Sequence, residues 1–164
     1  MKRTEITEIY KNPDAFADSK ISVCGWVKTI RDSKAIGFAE INDGSCFKGI
    51  QVVFESDKLA NYKDIVKVNV GAALKVTGTL LLTPGASQPF EINADEITVE
   101  ANSTPDYPLQ KKGHSREFLR TIAHLRPRTN LFNAVFRVRS TAAFAIHKYF
   151  IDQGFVYAHT PLIS

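Results

Sequence analysis

From Lys20 onward the chain alternates apolar and polar residues. Ile21, Val23, Gly25 and Val27 stand against Ser22, Cys24, Trp26 and Lys28. That period of two belongs to a strand with one buried face. It predicts a first strand from Lys20 to about Arg31, with a turn at Asp32-Ser33-Lys34. A second strand is expected from Ile36 to Asn42. Asp43-Gly44 is a hairpin signal, and a third strand follows from about Phe47 to Phe54. Residues 57–68 are polar, with Leu59, Tyr62, Ile65 and Val66 at helical spacing. A fourth strand is predicted from Ala73 to Leu82, a loop at Pro84-Gly85-Ala86-Ser87, and a fifth strand from Phe90 to Val99. In that last strand Ile92, Ala94 and Ile97 are expected to point inward. Residues 4–11 suit a short helix or strand, ended by Asn12-Pro13-Asp14.

Five strands with a helix between the third and fourth is the order of an OB-fold, a small, partly open barrel. Gly25, Gly49 and Gly78 then fall inside strands, where glycine marks a bend or bulge that lets the barrel close. After Glu100 the pattern changes. Asn102 to Pro108 is polar and carries two prolines, as a linker does. Ser115 is placed to cap a short helix reaching about Leu125, which Pro127 stops. A long helix is expected from Thr129 to Gln153, and Gly154 ends it. Its residues Phe132, Val135, Phe136, Ala142, Ala143, Ile146, Tyr149 and Phe150 form one apolar stripe. Phe155-Val156-Tyr157 is strand-like. One long helix and one short strand cannot enclose a core. The expected organisation is therefore a barrel domain over residues 1–101, a hinge over 102–114, and an incomplete second domain over 115–164.

Charge sharpens this division. Residues 1–108 carry 12 Lys and Arg against 15 Asp and Glu, a balance of −3, whereas residues 109–164 carry 9 against 2, a balance of +7. Lys111, Lys112, Arg116, Arg120, Arg126, Arg128, Arg137 and Arg139 crowd one stretch with only Glu117 against them. Such a block suggests a polyanionic partner, or a solvated basic face. Cys24 and Cys46 are the only cysteines and show no CxxC spacing, so they read as reduced small residues in strands. The four histidines have no zinc-ligand spacing, and no metal site is expected. No run of apolar residues is long enough to span a membrane, and the N-terminus lacks an apolar signal core. The chain reads as cytoplasmic.

Within the strand pattern stand a cation, Arg31, an aromatic ring, Phe38, and an amide, Gln51. A ring to stack on, a guanidinium for phosphate or base, and an amide for a base edge are the parts of a single-strand nucleic-acid reader. Ile36, Phe38 and Glu40 share one face of the second strand, and Glu40 marks that face as the wet one. Trp26 reads as filling the barrel or packing on the linker. Lys28 and Lys48 are candidate phosphate contacts.

The block Gly25-Trp26-Val27, Arg31-Asp32, Phe38, Asp43-Gly44 and Gln51-Val52-Val53-Phe54 resembles the anticodon-binding OB domain of class II aminoacyl-tRNA synthetases of the aspartyl, asparaginyl and lysyl branch. Pro108 to Arg120, His124 to Thr129, Gly154 to Tyr157 and Thr160 to Ile163 narrow the resemblance to the bacterial asparaginyl members, the last two stretches looking like the first class-defining motif. The fold this implies is mainly β: a five-stranded OB barrel, a linker, and the helical start of an α+β class II catalytic domain. The resemblance implies that Phe38 stacks on the middle anticodon base, a uridine. It assigns that base's edge to Gln51 and its edge or phosphate to Arg31, and the first base, a guanine, to Glu91. The Leu82–Gln88 loop is the expected contact for the third base. Lys111, Lys112, Arg116 and Arg120 would lie along the tRNA backbone. Phe136, Ala143, Tyr149 and Pro161 would lie in the contact of a homodimer.

The implied partners are a tRNA with anticodon GUU and, for the whole enzyme, asparagine and ATP with Mg²⁺. An aspartyl enzyme charging one or both tRNAs, and a free-standing single-strand-binding OB module, are the rival readings. The family's ATP-gripping second and third motifs do not occur within these residues, so the chain itself should use no cofactor. A pyrophosphate-exchange assay on residues 1–164 with asparagine and ATP is expected to be silent; measurable exchange would show that those motifs are dispensable.

Overall fold

The computed structural model describes residues 2–163. It divides into two compact units, parted between Phe118 and Leu119. The first is built on five strands, β1 (Lys20–Ser33), β2 (Ile36–Asn42), β3 (Ile50–Glu55), β4 (Ala73–Leu82) and β5 (Phe90–Ala101). They close a barrel in the order β1-β2-β3-β5-β4. Every neighbouring pair is antiparallel except β3 and β5, which run parallel. Helix α1 (Ile6–Lys11) precedes the barrel, and the short helix α2 (Tyr62–Ile65) lies between β3 and β4. This is the OB strand order that the hydrophobic pattern predicts.

The alternation also sets the core. Val23, Val27, Ala39, Ile41, Val52, Phe54, Leu74, Val76, Leu80, Ile92 and Ala94 all point inward and are buried. β5 places Ala94 and Ile97 inward at a spacing of three, which a regular strand cannot do. The register steps from Thr77↔Glu96 to Gly78↔Ala94, leaving Asp95 as the bulged residue. A Cβ on Gly78 would overlap the Asn93 carbonyl oxygen, so glycine is required where the two strands close up.

Several local expectations change. β1 runs to Ser33, and the hairpin turns at Lys34-Ala35, with Lys34 at a φ of 66°. β3 begins at Ile50 rather than Phe47, so Gly49 and Cys46 lie in the connection and not in strands. Asp43-Gly44 opens a longer loop instead of a tight hairpin. Asn42 folds that loop on itself: its Oδ1 accepts from the Gly44 N–H, and its Nδ2 donates to the Cys46 and Lys48 carbonyls. Trp26 does not fill the barrel; it stands on the outer side of β1, 42% exposed. Only Tyr62–Ile65 of the 57–68 segment is helical, although Leu59, Tyr62, Ile65 and Val68 are all buried.

Helix α1 packs Ile6 and Ile9 into the core, and its exposed N–H groups are capped from a distant loop. Asp43 Oδ2 accepts from the Ile6 N–H at 3.0 Å, and Ser45 Oγ accepts from the Thr7 N–H at 3.0 Å. These bonds do the work of an N-cap that Glu5 does not perform. The Asp43 side chain is fully covered. Burial alone would raise its pKa, but hydrogen bonds from Ser45, Ile6 and Arg3 outweigh it and hold the carboxyl below its ordinary value.

After β5, residues 102–115 contain neither helix nor strand. Their first part is pinned to the barrel. Asn69 donates to the Ser103 carbonyl at 2.7 Å and Asn102 Oδ1 accepts from the Asn69 N–H, while the Tyr107 ring lies over Gly71. Helix α3 (Arg116–Thr121) is capped by Ser115, whose Oγ accepts from the Phe118 N–H, and it ends short of Leu125. In the second unit, α4 (Asn130–Asp152) starts at Thr129, whose side chain accepts from the Phe132 N–H. No residue of α4 is buried, and Phe136, Ala143, Ile146, Tyr149 and Phe150 are all exposed. Phe155-Val156-Tyr157 is not a strand: it pairs with no other strand among the described residues.

Asp43→Asn is expected to lower stability by about 1–2 kcal/mol at neutral pH, the scale of losing a helix cap. Because the folded pKa is depressed, the aspartate's advantage is full above the ordinary carboxylate value and disappears as pH falls through the lower, folded value. Urea denaturation of both proteins across the acid range would check this; a difference that persisted unchanged to the lowest pH would contradict it.

Candidate nucleic-acid interface

Strand pairing brings four of the sequence-predicted residues onto one outer surface. Arg31 on β1 is opposite Phe38 on β2, and Gln51 on β3 is opposite Glu91 on β5. Phe38 also faces Val53, and Glu40 faces Gln51, so Phe38 and Gln51 are diagonal neighbours across β2 and β3. The inward face beneath them is Gly37, Ala39 and Ile41 on β2 and Val52 and Phe54 on β3, all buried. Phe38 is thus the wet-face ring that Glu40 implies, not a core side chain.

The side chains are already organised. The Arg31 guanidinium lies over the Phe38 ring, 4.7 Å from its centroid. Gln51 Nε2 donates to Glu91 Oε2 at 2.9 Å, and Gln88 Nε2 donates to Gln51 Oε1 at 2.5 Å. Two planar groups stand at one end of the row and a polar chain of two amides and a carboxylate at the other. The first pair offers stacking and positive charge; the second offers donors and acceptors at an edge.

Support comes from below. Gly37, between Ile36 and Phe38, leaves space that the Phe54 ring fills; a Cβ there would sit 2.2 Å from that ring. Phe54 in turn contacts Tyr62, with centroids 5.5 Å apart. The Tyr62 hydroxyl donates to Asp32 Oδ1 at 2.6 Å, which ties α2 to the hairpin end beside Arg31. That bond, with burial adding to it, pushes the Tyr62 phenol up to about 12. A second corner is built on Tyr10, whose hydroxyl donates to the Gly49 carbonyl at 2.8 Å and whose ring meets Phe90. Burial first, then the neighbouring Cys46 and Glu40, raise the Tyr10 pKa.

The remaining candidates are not gathered into the row. Lys28, in the register shift of β1, reaches the Phe47 carbonyl at 3.4 Å. Lys48 lies in the loop before β3, its ammonium 5.4 Å from the Tyr10 ring centroid. Lys111, Lys112, Arg116 and Arg120 are exposed on the segment after the barrel. The residue that sequence reasoning missed is Gln88. It falls at the end of the expected third-base loop, yet its side chain turns back to Gln51. Only the parallel pairing of β3 with β5 makes those positions neighbours, and no local pattern encodes it. Among the described residues no group of three His, Cys, Asp or Glu is placed to hold a metal ion, and no helix is long and apolar enough to cross a membrane.

Comparison with known proteins agrees with this geometry. Residues 21–100 match the tRNA anti-codon family, an OB-fold nucleic acid binding domain. The chain is 59% identical over 164 residues to an asparagine–tRNA ligase of Acetivibrio thermocellus, covering 100% of this chain and 35% of that protein. It spans about a third of the length of the curated relatives it matches. Among solved structures, asparaginyl-tRNA synthetase from Pyrococcus horikoshii, complexed with asparaginyl-adenylate, superposes with a TM-score of 0.86 at 19% identity, over 99% of this chain and 37% of that one. A putative aspartyl-tRNA synthetase from Leishmania major superposes with a TM-score of 0.84 at 17% identity, over 98% and 34%. At such identities the superpositions show a shared fold.

Gly37→Ala is expected to destabilise the barrel by about 1–3 kcal/mol, since the methyl group must displace a packed ring. A thermal melt beside the wild type measures this, and an unchanged midpoint would mean that Phe54 has room to move.

Proposed function

Because residues 21–100 belong to the OB-fold nucleic acid binding domain family, we propose that this chain is the anticodon-recognising part of a ligase that joins asparagine to its tRNA. One observation carries the reading: Arg31 with Phe38, and Gln51 with Glu91, lie side by side on the outer face of β1, β2, β3 and β5. An exposed ring takes the flat face of an unpaired base. An amide and a carboxylate take base edges. The 59% identity over the whole chain to an asparagine–tRNA ligase supports asparagine over aspartate, because the aspartyl resemblance extends only to the fold.

In this reading Phe38 stacks on the middle base of a GUU anticodon, a uridine. Gln51 reads that base's edge, donating one hydrogen bond and accepting another. Arg31 contacts the same base or its phosphate. Glu91 accepts from the N1–H and N2–H of the first base, a guanine. Lys28, Lys48, Lys111, Lys112, Arg116 and Arg120 supply backbone contacts, which add affinity without sequence preference. ATP and Mg²⁺ belong to the parent ligase, and no residue of this chain is assigned to them. The parent is proposed to act in the cytoplasm as a homodimer, with Phe136, Ala143, Tyr149 and Pro161 on its contact surface.

An anticodon stem-loop with GUU in its loop is expected to bind residues 1–164, more weakly as salt rises. Phe38→Ala should cost about 1–3 kcal/mol, the worth of stacking one base. Fluorescence titration of both proteins with the labelled hairpin measures this. Equal affinities would remove Phe38 from the interface, and salt-independent binding would count against phosphate contacts.

A further inference from the structure

The two side chains proposed to read adjacent bases are bonded to each other and to a third. Gln88 Nε2 donates to Gln51 Oε1, and Gln51 Nε2 donates to Glu91 Oε2. The backbone holds all three in place. β3 and β5 set Gln51 beside Glu91. The loop before β5 is closed at its base by the Thr83 N–H donating to the Pro89 carbonyl and by Thr83 Oγ1 donating to the Gln88 carbonyl.

The direction of this chain is chemical. A carboxylate only accepts hydrogen bonds, so Gln51 must turn its NH₂ toward Glu91. Its carbonyl oxygen then faces Gln88, which must present its own NH₂. If the Gln51 amide rotated by half a turn, it would set oxygen against oxygen at Glu91 and NH₂ against NH₂ at Gln88.

That direction decides which pyrimidine the amide can pair with. Uracil presents a donor at N3 beside an acceptor at O4. Cytosine presents an acceptor at N3 beside a donor at N4. The two edges offer the same pair of positions with donor and acceptor exchanged. A glutamine free to flip satisfies either base; one held in a single orientation satisfies one and opposes the other, leaving buried polar groups unpaired. An amide has four hydrogen-bonding positions, and the bonds to Gln88 and Glu91 use two, so a base edge can take the others.

We propose that Gln88 is a specificity-determining positioning residue: together with Glu91 it locks the Gln51 amide so that the interface accepts uracil and rejects cytosine at the middle base. This rests on the anticodon reading above. Gln88 acts through Gln51 and contacts no base itself.

The test titrates wild type, Gln88→Met and Gln88→Lys with two hairpins that differ only in the middle base, U or C, at one salt concentration. Wild type is expected to prefer U by about tenfold or more, the scale of one mismatched specific contact. Methionine keeps the size of the side chain but donates nothing, so the U-to-C ratio should collapse toward unity. An ammonium donates and never accepts, so lysine should keep the ratio while its added charge strengthens binding of both hairpins. A purely structural role for Gln88 would change both affinities together and leave the ratio alone. A full preference surviving in Gln88→Met, or lost in Gln88→Lys, overturns the lock while leaving the interface intact. Equal binding of U and C by the wild type overturns the role of Gln51 itself, and the lock with it.

Discussion

The parallel pairing of β3 with β5 is the constraint on which the barrel and its outer surface both depend. Only three residue pairs make it, Gln51 with Glu91, Val52 with Ile92 and Val53 with Asn93. The middle pair is buried and seals the core between the strands; the outer pairs put Gln51 and Glu91 within one hydrogen bond. Such a contact is slow to find, since a long loop must close before it rewards the chain. Once made, it turns a meander into a closed wall and joins positions forty residues apart. Fold closure and the proposed recognition surface are the same event.

Much of the barrel is legible in the sequence, because period-two alternation states directly which side of a strand is buried. β2 and β4 have the bounds that the alternation predicts. Phe38 is placed on the outer face by Glu40, two positions on. What is not legible depends on partners distant in the chain. β3 starts late because Asn42 and Asp43 organise the preceding loop with side-chain hydrogen bonds, and Asp43-Gly44 looks like a tight turn without that knowledge. Trp26 looks like filling for a core, but its strand position assigns it to the outside, and position outweighs size. Gln88 reads as loop until β3 and β5 are paired.

The loop between β2 and β3 shows how a surface connection is given a fixed shape. Asp43 and Ser45 cap α1, Tyr10 of α1 reaches back to Gly49, and Asn42 closes the loop on its own carbonyls. Each group satisfies a backbone atom that a neighbouring element leaves open. The result holds β2 and β3, the two strands that carry Phe38 and Gln51, against a helix that contributes no residue to the proposed interface. On α2, Tyr62 does the same for the far end, through Asp32 and Phe54.

The Arg31 guanidinium resting on the Phe38 ring gives that ring a flat companion before any RNA arrives. An incoming nucleobase does not meet bare hydrocarbon in water on that side. It exchanges one planar cover for another, or slides in as a third leaf. The heat released on docking is thus a difference between two sandwiches, smaller than either contact taken alone, and the liberated cation is left free to follow the incoming strand.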